Sequence, residues 1–358
     1  MSNQKLNLLS QDENQLRELM ISLGEKPFRA GQLIGWLYAK GTGDLAAMTN
    51  LNQPLREKLA ENCRIGELEI KAVNASANRN TQKFLFSLPD GNCIETVLMR
   101  YFEAGEELQR QSLCVSTQVG CAMGCAFCAS GQAGFIRNLS WSEIAEQVWQ
   151  VNRQLIPQGQ RINNLVFMGV GEPFQNYRET LKAACFLNRP ETFGIGARHI
   201  TISTCGVVPG ILSLAKEPQQ FRLAVSLNAA NDETRSRLMP VNNKYPLKEL
   251  LNAMKTFQQG AKRRITIEYI MIKGVNDSAH DAQQLAKILK DLHCMINLIP
   301  LNPVEEFAGE RSPAEKIQRF LEILEAGGVK AVIRKEMGSR IGAACGQLRS
   351  QFSGGKSC

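Results

Sequence analysis

The sequence predicts an α/β protein built around a partial (β/α)6 barrel, and three observations carry that expectation. From about residue 112, short apolar segments alternate with amphipathic helical stretches, the pattern of a parallel sheet with crossover helices. The residues just after the apolar segments are polar and glycine-rich, as the C-terminal mouth of a barrel requires. A Cys-x3-Cys-x2-Cys run follows the first apolar segment and sets reactive ligands at the same mouth.

In chain order, residues 1 to about 62 read as all-helical. Ser10 and Glu13 have capping-box spacing ahead of the stripe Leu16, Leu19, Met20 and Leu23. Gly24 stops that helix, and Pro27 suits the first turn of the next, whose apolar face is Phe28, Leu33, Ile34, Trp36 and Leu37. Pro54 opens a third helix through Leu55 and Leu59. We assign 1–75 to an N-terminal helical accessory domain. Gripping RNA and packing or dimerising are equally good uses for it.

A β-hairpin linker, 76–106, comes next. Lys83–Leu88 runs into the turn Pro89-Asp-Gly91, and Ile94–Arg100 returns. The return strand sets Ile94, Thr96 and Leu98 on one face, with Glu95, Val97 and Met99 on the other. A carboxylate among apolar neighbours suits proton transfer, although a solvated strand carboxylate is the plainer reading of Glu95.

The barrel core, 107–340, has strands expected at 112–117, 165–168, 199–203, 223–227, 266–272, 296–300 and 331–334. Helices are expected at 142–155 (behind a Ser140/Glu143 capping box), 247–257, 279–292 and 313–324. Residues 341–358 form a C-terminal tail containing Cys345.

Composition narrows the function. The chain has 358 residues, 44% hydrophobic and 21% charged, the balance of a soluble globular protein. No apolar run approaches the roughly 18–20 residues of a membrane span. The N-terminus lacks a signal-peptide pattern, so the cytoplasm is expected. Eleven cysteines in such a chain argue for a metal site and redox chemistry over a secreted disulfide framework. A net charge of +8 suits a polyanionic partner such as RNA.

Cys121, Cys125 and Cys128 supply three thiolates on one short loop, one fewer than an ordinary structural site takes. A zinc site with Cys114 as fourth ligand is the plainer alternative. With Phe127 just before the third cysteine, the run resembles the signature of the radical S-adenosylmethionine (SAM) superfamily. That resemblance implies a [4Fe–4S] cluster whose open iron is chelated by SAM. The strand ends offer a pocket for such a ligand: Met168-Gly-Val-Gly-Glu-Pro173, Ser203-Thr-Cys-Gly206, Ser226-Leu-Asn228 and Pro300-Leu-Asn302.

The tail reads Gly338-Ser-Arg-Ile-Gly-Ala-Ala-Cys-Gly-Gln-Leu348. By itself Cys345 reads as a buried structural cysteine. With Leu113-Cys-Val-Ser-Thr-Gln-Val-Gly-Cys121 and Leu-Gly-Glu-Lys-Pro-Phe-Arg-Ala30, however, the tail resembles the RlmN/Cfr family of adenine-carbon methyltransferases. Gly-Phe-Ile-Arg-Asn-Leu139, Thr-Ile-Glu-Tyr-Ile-Met271 and Ile-Asn-Leu-Ile-Pro300 extend the resemblance over nearly the whole chain.

The resemblance implies a division of labour. One SAM methylates Cys345; a second, on the cluster held by Cys121, Cys125 and Cys128, yields a radical that activates the S-methyl group. Glu95 would take the ring proton, and Cys114 would release the product through a transient disulfide with Cys345. Gly171, Glu172, Ser203, Ser226, Leu227, Asn228 and Asn302 would contact SAM. The substrate implied is C2 of an adenosine in 23S rRNA, with tRNA left open as a second one. Cfr-type C8 methylation is the alternative within the family, and an RNA-binding protein with a structural metal site the alternative outside it. A monomer served by a flavodoxin/reductase-type electron donor is expected.

The sequence also departs from the family pattern. Asn228 replaces a usual histidine. The approach to Cys345, usually acidic, here carries Arg340 and Gly342, which favours contact with phosphate. Cys63, Cys93, Cys185, Cys205, Cys294 and Cys358 read as structural or incidental.

Overall fold

The computed structural model describes residues 5–102, 107–261 and 263–349. Ten of its strands form one sheet whose spatial order follows the chain order. Three are antiparallel: β1 (Glu69–Ala75), β2 (Thr81–Ser87) and β3 (Cys93–Phe102). β4 (Leu108–Cys114) is the pivot, antiparallel to β3 on one edge and parallel to β5 (Asn164–Phe167) on the other. β6 (Ile200–Thr204), β7 (Arg222–Ser226), β8 (Ile265–Met271), β9 (Cys294–Pro300) and β10 (Ala331–Ile333) continue the parallel half. Parallel strands buried on both faces need near-continuous apolar runs. Leu223, Ala224 and Val225 at the heart of β7 are all fully buried.

Three helices precede the sheet: α1 (Glu13–Ser22), α2 (Arg29–Ile34) and α3 (Gln53–Asn62). The crossovers carry α4 (Trp141–Leu155), α5 (Tyr177–Asn188), α6 (Val208–Leu214), α7 (Asp232–Leu238), α8 (Leu247–Ala261), α9 (Ala279–Leu289) and α10 (Ala314–Ala326). α4 starts at the expected Ser140/Glu143 box. It also receives the N-terminal module: the indole of buried Trp149 donates to the Leu37 carbonyl at 2.8 Å. Glu146 accepts from the Glu67 and Leu68 amides at 2.6 and 2.8 Å.

Several expectations change. The capping box of α1 is Asp12 with Gln15, because the Ser10 hydroxyl is spent on the Asn7 carbonyl. The N-terminal module is not all-helical: Leu6–Asn7 pairs in parallel with Cys63–Arg64. The hairpin is an extension of the barrel sheet rather than a free linker, and β1, from the stretch assigned to the helical module, is its outer strand. β4 starts at Leu108, earlier than expected, because its polar first half hides it from an apolar-run search. It ends at Cys114, where the chain leaves the sheet to carry the cysteine loop. The Ser353–Ser357 segment and Cys358 lie outside the described residues. No helix among the described residues is long and apolar enough to cross a membrane.

Candidate active site

Two cavities meet at the C-terminal ends of the parallel strands, and Cys345 lies in the wall of both. The larger, about 150 Å³, is lined by Cys121, Cys125, Cys128, Gly171, Glu172, Ser203, Ser226, Asn228, Glu268 and Arg334. The smaller, about 40 Å³, is lined by Val97, Met99, Cys114, Asn302, Arg334 and Met337.

Local backbone chemistry explains the larger cavity. Gly171 has φ +104°, and a Cβ there would stand 2.6 Å from Gln118 Cβ. Only glycine lets this strand end press on the cysteine loop. The same contact lets the Glu172 amide donate to Gln118 Oε1 at 2.8 Å. The Glu172 carboxylate accepts from the Cys205 and Phe174 amides at 2.8 and 3.0 Å, while burial raises its pKa.

Beneath the cavity, fully buried Arg235 ties two strand ends together. It donates to the carbonyls of Cys205 at 2.6 Å and Leu227 at 3.1 Å, and to Asn242 Oδ1 at 2.9 Å.

Burial pushes the Cys121 thiol up to about 12, Cys125 well above its ordinary value, and Cys128 upward as well. Three neighbouring thiols kept neutral by desolvation ionise together only when a cationic centre enters among them. Their donor chemistry fits an iron–sulfur cluster. Cys114 lines the other cavity and so does not stand as a fourth ligand beside them. Among the described residues no three His, Cys, Asp or Glu side chains close on a point that would hold a single metal ion.

Other expected contacts sit differently from the sequence reading. Asn228 is fully buried with φ +59°; its Oδ1 accepts from the Ile270 amide at 2.8 Å and its Nδ2 donates to Met239 Sδ at 3.2 Å. Its side chain braces the β7–β8 junction, and the residue also lines the larger cavity. Leu227 is fully buried and absent from the cavity lining. Asn302 lines the smaller cavity, where its Nδ2 holds the Cys345 carbonyl at 3.1 Å. Gly171, Glu172, Ser203 and Ser226 line the larger one together.

The tail around Cys345 is clasped from three directions. The Ala129 amide donates to the Gly346 carbonyl at 2.8 Å, and the Ser130 hydroxyl to the Leu348 carbonyl at 2.6 Å. Gln347 Nε2 donates to the Pro303 carbonyl at 3.1 Å. On the hairpin side, Lys83 Nζ donates to the Gly342 carbonyl at 3.2 Å and lies 2.7 Å from Glu95 Oε1. Glu95 Oε2 accepts from the Arg349 amide at 2.8 Å. Glu95 is buried on the face shared with Val97 and Met99, but its surroundings are not apolar: a lysine and a tail amide hold both oxygens. Cys114 and Cys345 are both free thiols, so the pairing expected between them is not formed in this structure. Burial, with the negative charge of Cys345 second, pushes Cys114 up to about 12. The charge of Cys345 is in turn the main cause that raises the Arg334 guanidinium.

Sequence reasoning missed Lys83, Arg235, Glu268 and Arg334 as site residues, and set Cys205 aside. Only Cys205 had a visible signal, its place in a polar strand end. The others are charged residues in amphipathic contexts, where the solvated reading is the usual one.

A barrel with a three-cysteine loop at its mouth is the arrangement of a radical SAM protein, and the model of that superfamily matches residues 115–286. The model of the ribosomal RNA large subunit methyltransferase N-terminal domain matches residues 6–65. A probable dual-specificity RNA methyltransferase RlmN from Desulforamulus reducens is 44% identical over 98% of both chains. Its counterpart from Symbiobacterium thermophilum is 47% identical over 94% of this chain and 89% of that one. The crystal structure of a radical SAM methyltransferase from Sphaerobacter thermophilus matches with TM-score 0.91 and 43% identity, over 96% of this chain and 99% of that one. The chain belongs to the RlmN family. Radical SAM membership implies a [4Fe–4S] cluster and SAM as cofactors.

Proposed function

We propose that this protein methylates C2 of an adenosine in 23S rRNA, and of tRNA as well, through an S-methyl group carried by Cys345. One observation carries the reading: Cys345 lines both the cavity of the three cysteines and the cavity of Cys114, Val97 and Met99. A methyl carrier needs that double access. Relatives named probable dual-specificity RNA methyltransferase support a reading with more than one RNA substrate.

In this reading Cys121, Cys125 and Cys128 hold the cluster, and Gly171, Glu172, Ser203 and Ser226 form the wall against which SAM lies. The bound cluster and SAM supply the methyl group and the one-electron chemistry that activates it. Arg334 lines both cavities with Cys345 and supplies positive charge to them. Asn302 fixes the Cys345 backbone. Glu95 accepts the proton leaving the adenine ring, with Lys83 and the Arg349 amide holding its carboxylate. Cys114 attacks the Cys345 sulfur; the S–S bond forms as the sulfur–carbon bond breaks, its electron pair leaves with the carbon, and that carbon takes a proton to complete the methyl group.

Nucleoside mass spectrometry of rRNA and tRNA, with and without the protein, tests the assignment. Appearance of 2-methyladenosine supports it, whereas 8-methyladenosine alone would favour Cfr-type chemistry. Cys345→Ala should take up no methyl from SAM. Cys114→Ala should accumulate protein covalently bound to RNA, and normal turnover by that variant would sink the mechanism.

A further inference from the structure

A groove of about 790 Å³ opens beside the smaller cavity, between the β1–β2 turn, the end of β3 and the stretch 335–341 that leads into the tail. Tyr101, Lys335, Glu336 and Met337 line both, so groove and cavity are continuous. We propose that this groove binds the unpaired RNA strand flanking the target adenosine, and that the base reaches Cys345 past Tyr101 and Met337. The inference rests on the RNA methyltransferase reading and adds where, and in what conformation, the RNA docks.

Charge is the first argument. Arg100, Lys335 and Arg340 line the groove, and Lys335 and Arg340 are exposed and form no ion pair with any described residue. Among the described residues the one acid in the lining, Glu336, is paired with Arg311 at 2.8 Å and also feels the charge of Arg340. Three cations against one acid along a groove of this kind fit a phosphate backbone.

The second argument is aromatic surface. Phe102 is 43% exposed in the groove, an unusual place for a phenyl ring. At the doorway, the Arg110 guanidinium lies 4.0 Å above the Tyr101 ring. Stacking of a base on such a side chain contributes about 1–3 kcal/mol and is tolerant of sequence. Exposed Asn78 and half-buried Asn80, on the β1–β2 turn that lines the groove, offer side-chain amides of the kind that contact ribose hydroxyls.

Volume settles the conformation of the RNA. The smaller cavity, about 40 Å³, has room for a few waters but not for a purine, so the tail clasp must yield as the base enters. A base still stacked in a duplex cannot reach that depth. The groove is therefore a site for a looped-out or single-stranded segment.

The test uses the full, cluster-loaded chain under anaerobic conditions, with two probes: a synthetic RNA stem-loop with unpaired adenosines, and a fully paired RNA duplex of equal length. Fluorescence anisotropy at several salt concentrations gives affinity and salt dependence. The double variant Lys335→Glu/Arg340→Glu should bind the stem-loop at least ~10-fold more weakly. Its log–log salt slope should fall by about 1.4, from about 0.7 per lost phosphate contact on a single strand. Phe102→Ala should weaken binding without changing the slope. Arg319→Glu, a single charge reversal on α10 outside the groove, should have little effect. Melting curves run in parallel, and Lys335→Gln/Arg340→Gln replaces the double variant if it melts early. The inference is overturned if the double variant keeps wild-type affinity and slope, if Arg319→Glu loses as much, or if the duplex binds as well as the stem-loop. RNA binding that fails in the groove variants, in a protein that makes no methyladenosine, would overturn the methyltransferase reading and leave the groove standing. Methylation with unaltered binding in the variants would do the reverse.

Discussion

The two cavities that share Cys345 are held together in different ways. The larger is in good part scaffold: Gly171, Glu172, Ser203 and Ser226 sit at or just beyond strand ends, and Arg235 binds the carbonyls of Cys205 and Leu227 beside two of those ends. The smaller is a clasp: Lys83 to Gly342, Arg349 to Glu95 and Asn302 to Cys345 join segments 259, 254 and 43 residues apart. A wall formed by a sheet's own ladder moves only if the sheet does, whereas a wall closed by three polar contacts opens when they are exchanged for others. The side proposed for SAM is the rigid one, and the side proposed for the base is the one able to yield.

The largest effect should come from breaking the scaffold. Arg235→Met leaves the buried acceptors of Cys205, Leu227 and Asn242 without their donor, at about 1–3 kcal/mol each where no water replaces it. A loss of about 4 kcal/mol in urea denaturation is expected; a change below about 1 kcal/mol would show that Arg235 does not hold the strand ends. Lys83→Met should break the clasp instead, lowering product formation by about 10²-fold, the low end of what a positioned proton acceptor contributes. Lys83→Arg should restore much of that rate, because a cation again spans Glu95 and the Gly342 carbonyl. Equal losses in both variants would mean that lysine packing matters and its charge does not.

Gly171→Ala probes the rigid wall more gently. The +104° backbone and the 2.6 Å approach to Gln118 make about 1–3 kcal/mol of strain the expected outcome, read as weaker SAM binding by calorimetry. Unchanged affinity would show that the wall adapts.

The smallest effect near neutrality is that of pH. Cys114 and Cys121 are both raised to about 12 in the folded chain, above an ordinary thiol. Folded protein then keeps protons that unfolded chain releases. Their stabilising contribution is complete below the unfolded thiol pKa and is lost as pH rises from about 9 toward the folded value, by at most about 1.4 kcal/mol per pH unit for each thiol. Melting of cluster-free protein should therefore fall over that range, and Cys114→Ser should make the fall shallower. A flat profile would contradict the burial of these thiols.

Most of the barrel was legible because parallel strands and their helices carry strong local patterns. The strand at 266–272 sits one residue from β8, and the helix at 279–292 overruns α9 by three. β1 and the first half of β4 were not legible, because Glu69-Ile-Lys-Ala-Val and Leu108-Gln-Arg-Gln carry too few apolar residues to mark a strand. Their place comes from pairing with β2 and β3. At the site, the cysteine run and the glycine-rich strand ends stood out because few other chemistries use them. Lys83 did not, since a lysine on a strand is ordinarily solvated and only the fold sets it between Glu95 and the tail.

By itself, then, the sequence determined the barrel pattern and the three-thiol loop, because both are written in short-range spacing, whereas Cys345 and Cys114 stood out only through the resemblance to the RlmN/Cfr family. Tertiary structure alone decided that Cys345 faces two cavities, that the Asn228 amide braces the β7–β8 junction, and that Glu95 is held by Lys83. Those facts depend on contacts between segments far apart in the chain, and local spacing carries no record of which distant partner a side chain will meet.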